Sequence, residues 1–150
     1  MSLSQSVVAL AARRRAATLG NSGDRGTFNP GKLIAIVDDD ANVREALKRL
    51  VYAFGYAASA FATAEEYLFS DVVRDTACLI SDVQLPGING PDLQARLIAD
   101  GYRIPIVFVS GLFDETVRAR VLAAGAVNYL AKPCNPESLM DCIEKALVLS

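Results

Sequence analysis

Histidine is absent from all 150 residues, and the three cysteines, Cys78, Cys134 and Cys142, have no paired spacing. A zinc site built from a Cys/His set is therefore excluded. An odd number of thiols suits a reducing compartment better than a secreted disulfide scaffold. A secretory signal is missing as well: the arginines at 13–15 follow the only early apolar patch instead of preceding it. No apolar run approaches the ~20 residues that cross a bilayer. These absences predict a soluble, cytoplasmic protein without membrane contact. Cys78 falls in an apolar run and Cys142 in a helical pattern, so both read as buried free thiols.

Charge is divided unevenly along the chain. Arg13, Arg14, Arg15, Arg25 and Lys32 against Asp24 make residues 1–32 basic by four, so residues 33–150 are acidic by six within a total of −2. An acidic body argues against direct nucleic-acid binding by this chain. Residues 1–31 show no core pattern: Val7 to Ala12 suffice for a turn or two of helix, and Asn21–Gly26 and Asn29-Pro30-Gly31 read as linker. The organisation this predicts is a flexible basic leader over 1–31 and one domain over 32–150, large enough for a real core.

From Lys32 the rhythm changes. Leu33-Ile34-Ala35-Ile36-Val37 is apolar on both faces, as an inner strand of a parallel sheet should be. Val43, Ala46, Leu47, Leu50, Val51 and Phe54 then recur at helical spacing, with Gly55 as the stop. Tyr56 to Phe61 is a weaker strand, and Thr63 with Glu66 is a capping-box signature for a short helix carrying Tyr67 and Leu68. Residues 77–81 form a third strand, and Pro91 opens a helix carrying Leu93, Leu97 and Ile98. Ile104 to Val109 is a fourth strand. Asp114 starts a helix that turns Val117, Val121 and Ala124 inward, and Val127 to Leu130 is a fifth strand. Asn135-Pro136 begins the last helix, with Leu139, Ile143, Ala146 and Leu147 as its buried stripe. Five strand–helix alternations with short connections predict a doubly wound α/β fold with a parallel sheet. Right-handed crossovers place every strand's carboxyl end on one edge, where ligands bind. There is no internal repeat.

That edge gathers Asp38 and Asp39 from the first strand, Asp82 from the third, Ser110 from the fourth and Lys132 from the fifth. Asp82 alone would read as a cap, since Asp is common where strands become loops; the other strand ends change the reading. Carboxylates this close repel unless a cation sits among them. All-oxygen donors suit Mg²⁺, which pairs with phosphate. Lys132 offers a point charge for a phosphoryl oxygen and Ser110 a hydroxyl. The set matches phosphoryl transfer, where catalysis is largely positioning and charge neutralisation.

Four stretches stand in order: Val37-Asp38-Asp39-Asp40, Ser81-Asp82-Val83-Gln84-Leu85-Pro86-Gly87, Val109-Ser110-Gly111 and Ala131-Lys132-Pro133. On them, residues 33 to 150 resemble the response-regulator receiver domain of two-component signalling. The resemblance implies a flavodoxin-like (βα)5 fold with strand order 2-1-3-4-5. It implies Asp82 as phospho-acceptor and Mg²⁺ on Asp39, Asp82 and the main-chain carbonyl of Gln84, with Asp38 acting through water. Lys132 and Ser110 would contact the phosphoryl group, and Ser110 and Tyr129 would form the switch. Lys132-Pro133 would be cis, and Asp40 would cap the first helix. Ser110 stands where Thr is commoner, which loses the rotamer-locking methyl; Gln84 and Leu112 occupy the variable flanking positions.

The implied partner is a histidine kinase or phosphotransfer protein of a phosphorelay. The implied output face is the fourth helix, fifth strand and fifth helix, which would also serve a homodimer. Self-phosphorylation and autodephosphorylation are expected, without turnover of an external substrate. The last helix ends near Ser150, so either a stand-alone receiver or a truncated larger regulator is expected. Two rivals are a haloacid-dehalogenase-like phosphatase and a degenerate receiver acting only by contact. The phosphatase is suggested by Asp38-x-Asp40, but Asn42 and Ser110-Gly111 stand where that family wants Thr or Val and an acidic pair.

Overall fold

The five apolar runs become β1 (Leu33–Val37), β2 (Ala57–Phe61), β3 (Thr76–Asp82), β4 (Ile106–Ser110) and β5 (Asn128–Ala131). They pair in parallel in the order β2-β1-β3-β4-β5. The structure is a computed structural model that describes residues 32–149; the expected leader over 1–31 lies outside the described residues. The helices are α1 (Ala41–Ala53), α2 (Ala64–Leu68), α3 (Gly90–Ala99), α4 (Glu115–Ala123) and α5 (Pro136–Leu149). The fold is the expected flavodoxin-like doubly wound sheet.

Because successive strand residues point to opposite faces, the sheet separates two cores. Ile34, Ile36, Cys78, Ile80, Val107 and Val109 pack with Leu47, Leu50 and Val51 of α1 and Leu139, Ile143 and Ala146 of α5. Ala35, Val37, Leu79, Ile106 and Phe108 pack instead with Tyr67, Leu93, Leu97 and Val121 from α2, α3 and α4. All three thiols are free; Cys78 and Cys142 are buried, and burial pushes the Cys78 thiol up to about 12.

A side-chain cap starts each helix. Asp40 accepts from the backbone N–H groups of Asn42 (2.8 Å) and Val43 (3.3 Å). Thr63 accepts from Glu66 N–H at 3.0 Å, while the Glu66 carboxylate reaches back to Ala62 N–H at 3.1 Å. Asn89, Asp114 and Asn135 do the same for α3, α4 and α5.

Several edges differ from the periodicity. β4 begins at Ile106 because Pro105 has no N–H to give the ladder. β3 gains Thr76 and Asp82, and β5 is shifted by one residue, losing Val127 and gaining Ala131. Ala124 is exposed because it caps α4 from outside its last turn, and Leu147 is only half-buried. A 3-10 turn at Asp71–Asp75, capped by Ser70, was not foreseen.

Candidate functional site

Strand register sets the level of the reacting groups. Val37 pairs with Ser81, Asp82 with Val109 and Ser110 with Ala131. The residues just past those pairs, Asp38 and Lys132, therefore emerge beside Asp82 at one edge. Asp38 is 1 % exposed and Asp82 7 %. Carboxylates that deep need a partner. Lys132 supplies it, with Nζ donating to Asp38 Oδ2 at 2.8 Å and to Asp82 Oδ2 at 2.9 Å.

The other carboxylate oxygens are held by the backbone. Asp38 Oδ1 accepts from Asp40 N–H at 2.9 Å, and Asp82 Oδ1 from Gln84 N–H at 3.2 Å. Burial alone would lower the Lys132 ammonium pKa, but hydrogen bonds and charge from Asp38 and Asp82 outweigh it and raise it above the usual lysine value.

Asp38, Asp39 and Asp82 each bring a carboxylate oxygen into a group whose members all lie within 4.8 Å of one another. Three carboxylates against one ammonium leave an excess of two negative charges. This donor set, all oxygen and short by two positive charges, fits Mg²⁺. Such an acidic triad is typical of a receiver Mg²⁺ site. Asp39 is the exposed member and faces an open cleft of about 560 Å³ shared with Gln84, Leu85, Pro86 and Arg120. A cleft of about 600 Å³ lies at the opposite end of β4, against α3 and α4, and holds none of these groups.

Ser110 and Tyr129 are placed together but apart from the acid pocket's hydrogen bonds. The Ser110 hydroxyl donates to the Leu112 carbonyl at 2.9 Å and accepts from Leu112 N–H at 3.2 Å. Tyr129 donates to the same carbonyl at 3.1 Å and meets the Phe113 ring edge-on at 6.1 Å. It is 6 % exposed. Lys132-Pro133 is cis.

Two supports escaped the sequence reading. Arg44 Nη1 donates to the Asp38 carbonyl at 2.8 Å and orients the acidic turn; an Arg one turn into the helix after three acids was the available signal. Gly90 packs so tightly that a Cβ would strike the Asp82 carbonyl. Nothing in the local sequence marks that contact, because it is made by the fold.

Comparison with known proteins agrees with this geometry. The family model described as "Response regulator receiver domain" matches residues 34–144. Nodulation protein W of Bradyrhizobium diazoefficiens is 36 % identical over 114 residues, covering 76 % of this chain and 50 % of that protein. Response regulator protein TodT of Pseudomonas putida is 38 % identical over 130 residues, covering 86 % and 57 %. The chain thus spans about half the length of these curated relatives. Among solved structures, response regulator StyR superposes with a TM-score of 0.74 at 35 % identity, covering 79 % of this chain and 60 % of that one. No helix among the described residues is long and apolar enough to cross a membrane. Match and geometry fall on the same segment, and the chain belongs to the response regulator receiver domain family, whose acidic pocket is here Asp38, Asp39 and Asp82 with Lys132.

Proposed function

We propose that Asp82 is the phospho-acceptor of a Mg²⁺-dependent receiver over residues 32–150, with residues 1–31 as a flexible basic leader. The observation that carries this is Lys132 Nζ, held between Asp38 and Asp82 at 2.8 and 2.9 Å. It stands where a phosphoryl oxygen on Asp82 would need a counter-charge. Asp39, Asp82 and the Gln84 carbonyl would hold Mg²⁺ directly, and Asp38 through water. When bound, the metal screens the carboxylates from an incoming phosphoryl group and offsets its charge.

A carboxylate oxygen of Asp82 attacks the phosphorus of a phosphohistidine in line. A P–O bond forms as the P–N bond breaks, and the partner's imidazole leaves with the electron pair. Lys132 exchanges its Asp82 contact for a phosphoryl oxygen while keeping Asp38. The Ser110 hydroxyl leaves the Leu112 carbonyl to donate to another phosphoryl oxygen. Tyr129 then holds that carbonyl without competition from Ser110, so its inward position is reinforced. The α4–β5–α5 face, which would also serve a homodimer, is thereby biased, since modification shifts an equilibrium by its preference for one state. Water later cleaves the acyl phosphate and restores Asp82.

The test is incubation with Mg²⁺ and a small acyl-phosphate donor, read by intact mass. The parent should gain one phosphoryl group that hydroxylamine removes, and Asp82→Asn should gain none. Equal uptake by both proteins would take Asp82 out of the role.

A further inference from the structure

The loop from Val83 to Asn89 connects β3 to α3 and carries Gln84. Gly90 N–H closes it by donating to the Val83 carbonyl at 2.9 Å. Near its far end, Ile88 N–H donates at 3.0 Å to Oε2 of Glu65, which comes from the first turn of α2, 23 residues earlier. Gly87 adopts φ +73°, and a Cβ there would collide with the same Oε2. The Glu65 carboxylate therefore occupies the space that a side chain at Gly87 would need. Its second oxygen, Oε1, is buried without a hydrogen-bond partner among the described residues.

An unpaired buried carboxylate oxygen is costly, and such atoms ask for a reason other than stability. A leucine would fill the volume without that cost. What leucine lacks is an acceptor for Ile88 N–H. On the other side of the loop, Gln84 N–H is fixed to Asp82 Oδ1 at 3.2 Å. Glu65 and Asp82 thus grip the loop four residues apart, with Pro86 and Gly87 between them.

We infer that Glu65 is a positioning residue for the receiver site: it anchors the Val83–Asn89 loop so that the Gln84 backbone is preset for Mg²⁺. The inference rests on the reading of Asp39, Asp82 and Gln84 as the metal site. Supports of this kind around metal ligands change affinity without touching the metal.

The experiment is calorimetric titration of the full chain with Mg²⁺ alone, together with thermal unfolding in chelator. Glu65→Leu should bind Mg²⁺ about tenfold more weakly while melting at or above the parent temperature. Glu65→Gln, which keeps the acceptor, should bind like the parent. Parent-like affinity in Glu65→Leu, with or without a lowered melting temperature, makes Glu65 scaffolding only and overturns the proposal. Equal weakening in Glu65→Gln also overturns it, because an acceptor is then not what matters. Asp39→Asn separates the two readings. If it loses Mg²⁺ binding while Glu65→Leu does not, only the Glu65 role falls. If the parent takes up no Mg²⁺, or Asp39→Asn binds as well as the parent, the metal site falls and the Glu65 role with it.

Discussion

Lys132 holds together two carboxylates that would otherwise repel across a buried edge. Replacing it with Met removes the shared donor and leaves both acids uncompensated, a loss on the order of 3 kcal/mol, or roughly ten degrees of melting temperature. Added Mg²⁺ should recover more melting temperature in Lys132→Met than in the parent, because it replaces the missing positive charge. Thermal scans of both proteins with and without the ion measure this; equal recovery would contradict the charge argument. The sign with pH follows from the raised Lys132 pKa. Its contribution is complete below the ordinary lysine value, about 10.4, and is lost as pH climbs through the higher folded value. Urea unfolding across that alkaline range should show parent stability falling toward that of Lys132→Met. Asp82 and Lys132 were legible in the sequence because an apolar run ended at each and a Pro followed close behind. Glu65 was not, since its partner Ile88 lies 23 residues away; Gly90 was not either, since only the folded turn brings it against the Asp82 carbonyl.

At the scale of elements, the connection from β3 into α3 leaves the least room. A Cβ at Gly90 would also lie 2.9 Å from Phe108 Cε1 and 3.0 Å from Val83 Cα. Backbone and a packed ring cannot easily yield, so Gly90→Ala should cost about 1–3 kcal/mol and displace Asp82. Phosphoryl uptake measured well below the melting temperature should slow; an unchanged rate would show that the strand end does not move. The opposite case is α4, where Val121 is the one fully buried residue. Its amide hydrogens should exchange before those of α1 and α5, and Asp114→Ala, which removes its cap, should hasten exchange there by about 1 kcal/mol. Element types were readable from apolar runs, helical spacing and cap residues together. The Asp71–Asp75 turn was not, because five residues of mixed polarity carry no period, and strand ends were set by pairing partners that lie elsewhere in the chain.

For the molecule as a whole, the question is how a change at Asp82 reaches the α4–β5–α5 surface. Ser110 and Tyr129 meet at one carbonyl, Leu112. Ser110→Ala and Tyr129→Phe should each accept phosphoryl groups as the parent does, yet show a smaller change in α4 amide exchange on phosphorylation. A full response in both would remove Leu112 from the route. Fold class and strand order were visible early through the four ordered stretches; the shared carbonyl was not, because no sequence pattern encodes a meeting of two hydroxyls. The sheet itself acts as a bulkhead. Side chains behind α1 and α5 and those behind α2, α3 and α4 belong to separate compartments. Substitutions that retune one flank can accumulate without disturbing the other, so partners on the two sides are free to diversify independently, provided the strand tips stay as they are.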